Sequence, residues 1–222
     1  MNQLQVKNLS FKYFNTQKWI FKDFSFFAEN GDIVTVKGSS GSGKTTLLNI
    51  LCSVIPKVIK GEFSGQISVN NENLENLSLP QIASKISLLM QEPEYQLFFP
   101  TVEQELAFAP ENLKINPQQI HQRITQALAK LNIKSLRYLQ TASLSYGQKK
   151  LVTLASILTL SPDVFLLDEP FAGISKETIH IIKNIIQELA QSGKIIFIVD
   201  HSEFITKSVN KTIDLDILNE NL

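Results

Sequence analysis

One short stretch constrains this chain more than any other, the glycine-rich loop Gly38-Ser39-Ser40-Gly41-Ser42-Gly43-Lys44-Thr45-Thr46. It follows the β-branched run 32–36 and precedes the apolar helical pattern of 44–51, which together predict a strand, a loop and a helix. The glycines allow backbone N–H groups to turn inward around an anion, and the helix N-terminus adds the positive end of its dipole. All nine residues are therefore predicted to bind phosphate groups.

The end of this loop gives it a chemistry that an ordinary Ser- and Gly-rich surface turn lacks. Lys44 supplies a point charge for the β- and γ-phosphates of ATP or GTP, and Thr45 offers a hydroxyl to Mg²⁺. A surface turn is the alternative, but the strand, loop and helix context argues strongly against it. The loop alone predicts nucleotide binding and little more.

A pair of acids at the end of the apolar run 164–167 forms the second candidate site. Asp168 is predicted to reach the Mg²⁺ shell, usually through water, and Glu169 to polarise an attacking water. His201 follows the next apolar run and could contact the γ-phosphate. Solvated acids and a bland strand-end histidine are the alternatives. Combined with the phosphate loop, the pattern predicts hydrolysis with Lys44, Glu169 and His201 as catalytic residues.

The remaining periodicity predicts an α/β chain with a parallel sheet. Strands are expected at 66–69, 86–90, 164–167 and 195–199, with a helix at 176–190 between the last two. The apolar runs lack alternation, which is typical of strands covered on both faces. A further strand begins around Leu4, and an alternating one is expected at 212–218.

The middle of the chain differs from its flanks, because 101–160 contains no strand pattern. Asn116-Pro117 predicts a helix start, and another helix is expected from Gly147 to Leu160. We expect one domain over 1–222, in which 1–91 and 161–222 form the nucleotide-binding core. Residues from about 92 to 160 would form an inserted α-helical subdomain.

Composition narrows the possible partners. Basic and acidic residues number 21 each, so charge gives no support to a nucleic-acid partner. Cys52 is the one cysteine, which rules out an intrachain disulfide, and it is expected to be a small buried hydrophobe. No apolar run is long enough to span a bilayer, so we expect a cytoplasmic chain whose membrane role is peripheral or through a partner.

With these motifs the chain resembles the ATP-binding-cassette (ABC) ATPases over essentially its whole length. Leu144-Ser145-Tyr146-Gly147-Gln148 is similar to that family's signature motif, just upstream of the acidic strand. The resemblance implies ATP with Mg²⁺, a P-loop NTPase core and an antiparallel β subdomain. It also implies a head-to-tail dimer, either a homodimer or a heterodimer with a related ATPase. In that dimer Ser145, Gly147 and Gln148 of one chain would close over ATP held by the other.

The same resemblance assigns two further residues. Gln91 is similar to the family's glutamine that touches Mg²⁺, which makes the implied metal set Thr45, Gln91 and Asp168. Tyr13 is similar to the aromatic residue that stacks on adenine. A half-buried tyrosine beside a strand is the alternative for Tyr13.

The stretch 92–112 is similar to the ATPases of energy-coupling-factor importers, which take up vitamins or transition-metal ions such as cobalt or nickel. This subgroup implies a transmembrane subunit as partner and a peripheral place on the cytoplasmic face of the membrane. Leu97, Phe98 and Phe99 would then form part of the groove for that subunit. Packing inside the helical subdomain is an equally supported alternative.

Three positions depart from the family pattern. Tyr146 stands where the signature usually has glycine, 150–152 lacks the usual arginine, and Ser175 replaces the aspartate of the loop that crosses the dimer interface. Ser175 can still cap the helix that follows. We expect hydrolysis to persist, with communication between the two ATP sites altered.

Three other functions remain open at this level. An ABC ATPase of an exporter, of lipid trafficking or of cell division is disfavoured by 91–112. A non-hydrolysing nucleotide-gated scaffold is disfavoured by Glu169 and His201. A soluble nucleic-acid ATPase is disfavoured because the sequence shows no second cassette and no coiled-coil insertion.

Overall fold

A computed structural model describes residues 1–200 and 209–219. The described strands are β1 Gln3–Tyr13, β2 Phe21–Glu29, β3 Ile33–Lys37, β4 Gly61–Val69, β5 Glu72–Asn73, β6 Ile86–Leu89, β7 Val164–Asp168, β8 Ile195–Val199 and β9 Lys211–Asp214. The described α-helices are α1 Lys44–Leu51, α2 Val54–Lys57, α3 Leu79–Ala83, α4 Val102–Asn112, α5 Pro117–Lys130, α6 Tyr146–Leu160, α7 Lys176–Gln191 and α8 Leu215–Asn219.

A five-stranded parallel sheet in the order β6-β7-β8-β3-β9 forms the centre of the fold. The strand β8 lies between β7, which ends in Asp168, and β3, which leads into the glycine loop. Because the strands are parallel, their carboxyl ends meet at one edge, where α/β proteins bind ligands. The sheet order therefore places the acids and the loop on the same edge.

Side chains of the parallel strands alternate between two hydrophobic cores, one on each face of the sheet. In β7, Val164 and Leu166 join the core that includes α1, while Phe165 and Leu167 join the core that includes α4 to α7. All four side chains are at most 1% exposed. Burial on both faces explains why these strands are uninterrupted apolar runs in the sequence.

The second sheet is antiparallel, with the order β2-β1-β4-β5. The strand β1 is its long central member and pairs with both β2 and β4. Its apolar side chains pack into the same core as α1. The sheet thereby fixes the end of β1, at Tyr13, beside the start of that helix.

Three helices, α4, α5 and α6, connect β6 to β7. Thr101 and Asn116 accept backbone hydrogen bonds at the starts of α4 and α5, and Ser145 does so at the start of α6. Apolar residues of the three helices share one core with the far face of the parallel sheet. Packing on that common core holds the start of α6 in a fixed position relative to β6 and β7.

The predicted α/β fold with a parallel sheet, flanking helices and an antiparallel sheet is confirmed. The expectation of a strand over 212–218 is wrong beyond Asp214, because α8 begins at Leu215. Asp214 accepts hydrogen bonds from the N–H groups of Asp216 and Ile217, which starts a helical turn. The alternation of apolar and polar residues over 212–218 predicted a strand instead of a helix capped by Asp214.

Cys52 is buried, as expected, and burial raises the pKa of its thiol to about 11. None of the helices within 1–200 and 209–219 has the length and apolar character needed to cross a bilayer.

Candidate nucleotide-binding and catalytic site

The glycine loop connects β3 to α1 as the sequence predicts. Gly43 precedes α1 with a φ of 105°, and an added Cβ would lie 2.7 Å from Ile20 Cγ2, so this position requires glycine. No side chain caps the N-terminus of α1. The N–H groups of its first turn are consequently available to an anion.

Lys44 places its ammonium inside the loop. Its side chain is 9% exposed, and Nζ donates to the carbonyl oxygens of Gly38 and Ser39 at 2.8 Å each. These contacts hold the positive charge where the loop backbone curves. The position suits a lysine that meets the phosphates of a nucleotide.

The loop and the acidic strand end meet at Thr45. Its hydroxyl donates to Asp168 Oδ2 at 3.4 Å. Asp168 is 6% exposed, and burial followed by the charge of Glu169 raises the pKa of its carboxyl. A cation at this point would relieve both effects, since it would offset the burial and the repulsion between the two carboxylates.

Glu169 is held in a backbone conformation that few non-glycine residues adopt. Its φ is 44°, which costs about 1–3 kcal/mol, and its N–H donates to the Val199 carbonyl at 2.8 Å. Gln91, just after β6, donates from Nε2 to Glu169 Oε2 at 3.0 Å. The structure thus brings the predicted Mg²⁺-touching glutamine into direct contact with the predicted catalytic acid.

Tyr13 contacts the helix that begins the phosphate site. Its hydroxyl lies 3.1 Å from Thr46 Oγ1, and its ring meets that of Phe11 edge to face at 4.9 Å. The tyrosine is half-buried beside its strand. Its adenine-stacking role stays a prediction, and its contact with Thr46 places it next to the loop.

The signature stretch begins α6. Ser145 and Gln148 form a capping box, in which each side chain accepts a hydrogen bond from the other's backbone N–H. Ser145 is exposed and Gly147 is half-buried. The arrangement presents a helix N-terminus with a serine hydroxyl at the surface, which is a second place suited to an anion.

Lys150 lies in this region, and the sequence did not predict its contacts. Its side chain is fully buried, and Nζ donates to the Gln91 carbonyl at 2.5 Å. Burial lowers the pKa of this lysine to about 8, while Glu92, Asp168, Glu169 and Asp200 act in the opposite direction. The sequence pattern that could have revealed these contacts was a lysine on the apolar face of a helix, in line with Leu154 and Ile157.

Two other contacts were also missed. Asp216 in α8 accepts hydrogen bonds from the N–H and the hydroxyl of Ser39, at 2.8 Å each for the closest pairs, and so holds the front of the loop. The ring of Tyr146 lies against Gly173, in the loop after Glu169. Burial, followed by the charge of Glu92, raises the pKa of the Tyr146 hydroxyl. Only the tertiary structure brings these segments together.

His201 lies outside the described residues, so its predicted catalytic role stays a prediction. The strand β8 before it ends at Val199, and it lies between the strands of the loop and of the acids.

The residues present fit ATP with Mg²⁺. An uncapped helix N-terminus and a buried ammonium can receive phosphates, and the Thr45 hydroxyl lies beside the Asp168 carboxylate. Within the described part of the chain there is no group of three or more His, Cys, Asp or Glu residues able to hold a metal. Mg²⁺ does not require one, because it is commonly bound by one or two protein oxygens, waters and the phosphates of its nucleotide.

The fold and this site define a P-loop nucleotide-binding protein. The profile of the family described as ABC transporter matches residues 21–172, which is more than half of the chain. The chain therefore belongs to the ABC transporter family, whose ATP-binding domains hydrolyse ATP. This confirms the predicted family and the predicted class of enzyme.

Relatives of known sequence agree with this assignment. An ABC transporter ATP-binding protein of Pyrococcus abyssi is 32% identical over 97% of this chain and 78% of its own length. Another, from Treponema denticola, is 32% identical over 89% of this chain. The match spans only 40% of the length of the T. denticola protein.

Solved structures agree as well. CbiO1 of Clostridium perfringens, described as part of the ABC transporter complex CbiONQ, superposes with a TM-score of 0.81. The two are 27% identical, over 95% of this chain and 83% of CbiO1. A nucleotide-free ATP-binding cassette from an ABC transporter gives a TM-score of 0.78 at 23% identity, which supports the fold alone.

Proposed function

We propose that this chain is the ATP-hydrolysing subunit of a membrane importer of energy-coupling-factor type. The observation that supports hydrolysis best is the chain of contacts from Thr45 to Asp168, and from Glu169 to Gln91. It places a phosphate loop, a buried acid and a second acid held by a glutamine on one edge of the sheet. Bound Mg²⁺ would supply charge neutralisation for the phosphates.

Each residue has a role in this proposal. Lys44 and the first N–H groups of α1 bind the phosphates, and Thr45, Asp168 and Gln91 face the metal. Glu169 orients and polarises the attacking water, with His201 beside the γ-phosphate. Tyr13 stacks on the adenine.

The same proposal divides the chain into two parts that work with a second copy or a related ATPase. Residues 1–91 and 161–222 form the nucleotide-binding core, and 92–160 form the helical subdomain. The exposed Ser145, with Gly147 and Gln148, closes over ATP bound to the other chain. ATP favours the closed pair because it contacts both halves only when they are together.

Hydrolysis is tested on the complex that co-purifies with an affinity tag on this chain. Wild type should hydrolyse ATP, and Glu169→Gln should reduce kcat by about 100-fold or more while ATP still binds. Glu177→Gln is the matched control, because it neutralises an exposed acid of α7. A wild-type rate no higher than that of Glu169→Gln would overturn the proposal of hydrolysis.

The importer subgroup is supported by the CbiO1 likeness and by the surface between α4 and α5. A groove of about 670 Å³ lies there, lined in part by Phe99, Ala107 and Ile120. Phe98, the neighbour of Phe99 in the sequence, is 75% exposed, whereas Leu97 packs against the core shared by α4 to α7 and the parallel sheet. We propose that this groove receives a cytoplasmic helix of a transmembrane subunit, which makes the chain peripheral to the membrane on its cytoplasmic face.

This contact is tested by Phe98→Asp, with Tyr138→Asp as the control. Both aromatic residues are 75% exposed, so both changes should leave folding intact. We expect Phe98→Asp to remove the membrane subunit from the purified complex, and Tyr138→Asp to retain it. Mass spectrometry of the wild-type complex would identify that subunit, and partners typical of an exporter would contradict the importer assignment.

A further inference from the structure

The first turns of α6 carry three side chains that reach the loop after β6. Burial, followed by the charge of Glu92, raises the pKa of the Tyr146 hydroxyl, and Lys149 pairs with Glu94 at 2.7 Å. Lys150 donates to the carbonyl oxygens of Gln91 at 2.5 Å and of Met90 at 3.4 Å. The start of the signature helix is therefore attached to the segment that contains Gln91.

Lys150 differs from the other two side chains because its ammonium is buried and contacts backbone. The side chain is 0% exposed, whereas Glu94 of the neighbouring pair is 64% exposed. Burying a lysine is costly unless charge and hydrogen bonds compensate. Two carbonyls provide the hydrogen bonds, and carboxylates at the ends of three strands provide the charge: Glu92 after β6, Asp168 and Glu169 at β7, and Asp200 after β8.

The geometry points to Lys150 as a positioning residue for hydrolysis that acts through Gln91. Its ammonium fixes the Gln91 backbone, and the Gln91 side chain in turn holds Glu169 at 3.0 Å. Because Lys150 belongs to the helix that begins with the signature, closure of that helix over the partner's ATP moves Gln91 with it. This inference rests on the proposed hydrolysis in a closed dimer. It assigns to Lys150 the link between closure of the dimer and hydrolysis.

The test is a double-mutant cycle between Lys150→Met and Gln91→Ala in the tagged complex. Misplacing Gln91 should lower kcat by about 10- to 100-fold in Lys150→Met, with the KM for ATP near that of wild type. If Lys150 acts through Gln91, adding Lys150→Met to Gln91→Ala should lower kcat by less than about twofold. Lys149→Met, which removes the exposed pair with Glu94, should change kcat little.

Two results would overturn the inference. One is that Lys150→Met lowers kcat by the same factor in the wild-type and the Gln91→Ala backgrounds. The other is that Lys149→Met lowers kcat as much as Lys150→Met does. Since Lys150 is buried, the cycle is also run with Lys150→Gln, which keeps an N–H donor on a shorter side chain. Thermal unfolding of each variant separates a loss of stability from a loss of positioning.

Comparison of wild type with Glu169→Gln distinguishes failure of the proposed hydrolysis from failure of the inference about Lys150. If neither hydrolyses ATP, the same variants are compared by the Mg²⁺ concentration that gives half-maximal binding of a non-hydrolysable ATP analogue. Lys150→Met should raise that concentration when Gln91 is present and leave it unchanged in Gln91→Ala. An equal shift in both backgrounds would reject the role of Lys150.

Discussion

At the scale of single residues, the ring of Tyr146 lies close to the space that a side chain at position 173 would occupy. Gly173 has a φ of 69°, and an added Cβ would lie 3.1 Å from Tyr146 Cε1. Tyr146 stands where the signature usually has glycine, so its ring adds a contact between the signature and the loop after Glu169. The missing side chain at position 173 makes room for that ring.

We expect Gly173→Ala to destabilise the chain more than a positive φ alone explains. Gly193→Ala is the matched control, since its φ is 84° and the nearest atom to its new Cβ would be 3.5 Å away, at ordinary contact distance. The control should cost about 1–2 kcal/mol of unfolding free energy, and Gly173→Ala should cost more. Urea unfolding monitored by circular dichroism measures both.

The excess should disappear when the ring is removed. In a Tyr146→Ala background, Gly173→Ala should cost no more than Gly193→Ala does, because only the strained φ remains. An excess that persists without the ring would show that Tyr146 is not its cause.

At the scale of elements, the site is built at helix starts. The helix α1 opens without a side-chain cap, whereas α6 and α7 are capped by Ser145 and Ser175. The open start of α1 matches the function proposed for it, since its first turn is left free to bind an anion. Ser175 keeps the structural part of the role that an aspartate would have at this position.

Ser175→Ala should cost about 1 kcal/mol of unfolding free energy, because the Thr178 N–H loses its acceptor. Ser175→Asp should preserve stability, since an aspartate also caps and favours the positive end of the helix dipole. Ser192→Ala at the other end of α7 is the control and should change stability by less than about 0.5 kcal/mol. Chemical denaturation compares the three, and a cost from Ser175→Asp equal to that of Ser175→Ala would contradict the capping role.

At the scale of the whole molecule, we propose that one chain presents two separate anion sites. The glycine loop opens on the carboxyl edge of the parallel sheet, and Ser145 is exposed at the start of α6. A head-to-tail pair would bring each loop against the partner's Ser145.

The Glu169→Gln variant with Mg²⁺ and ATP should therefore form a dimer that the same variant without nucleotide does not form. Slowed hydrolysis keeps the closed state populated, because ATP contacts both chains. Light scattering after size-exclusion chromatography should show the mass doubling. A second substitution, Ser145→Arg, should abolish dimerisation while ATP still binds, and a monomer with ATP bound in Glu169→Gln itself would refute the head-to-tail dimer.

Most elements could be predicted because their signals are local. The β-branched run before Gly38, the Asn116-Pro117 start of α5 and the uninterrupted apolar strands depend on neighbours along the chain. The region after Asp214 was not predicted, because a four-residue strand and a short helix together mimic alternation. Contacts of Lys150 and Asp216 were not predicted either, since both join residues that are far apart in the sequence.

The sequence by itself determined the phosphate loop, the acidic strand end, the signature and the family resemblance, because each is a short motif with its own chemistry. The tertiary structure decided which of them touch. It brought Thr45 to Asp168 and Gln91 to Glu169, and it placed the ammonium of Lys150 beneath the loop that holds Gln91. Such contacts depend on the order of strands in the sheet and on the packing of α6. The spacing of residues along the chain predicts neither of them.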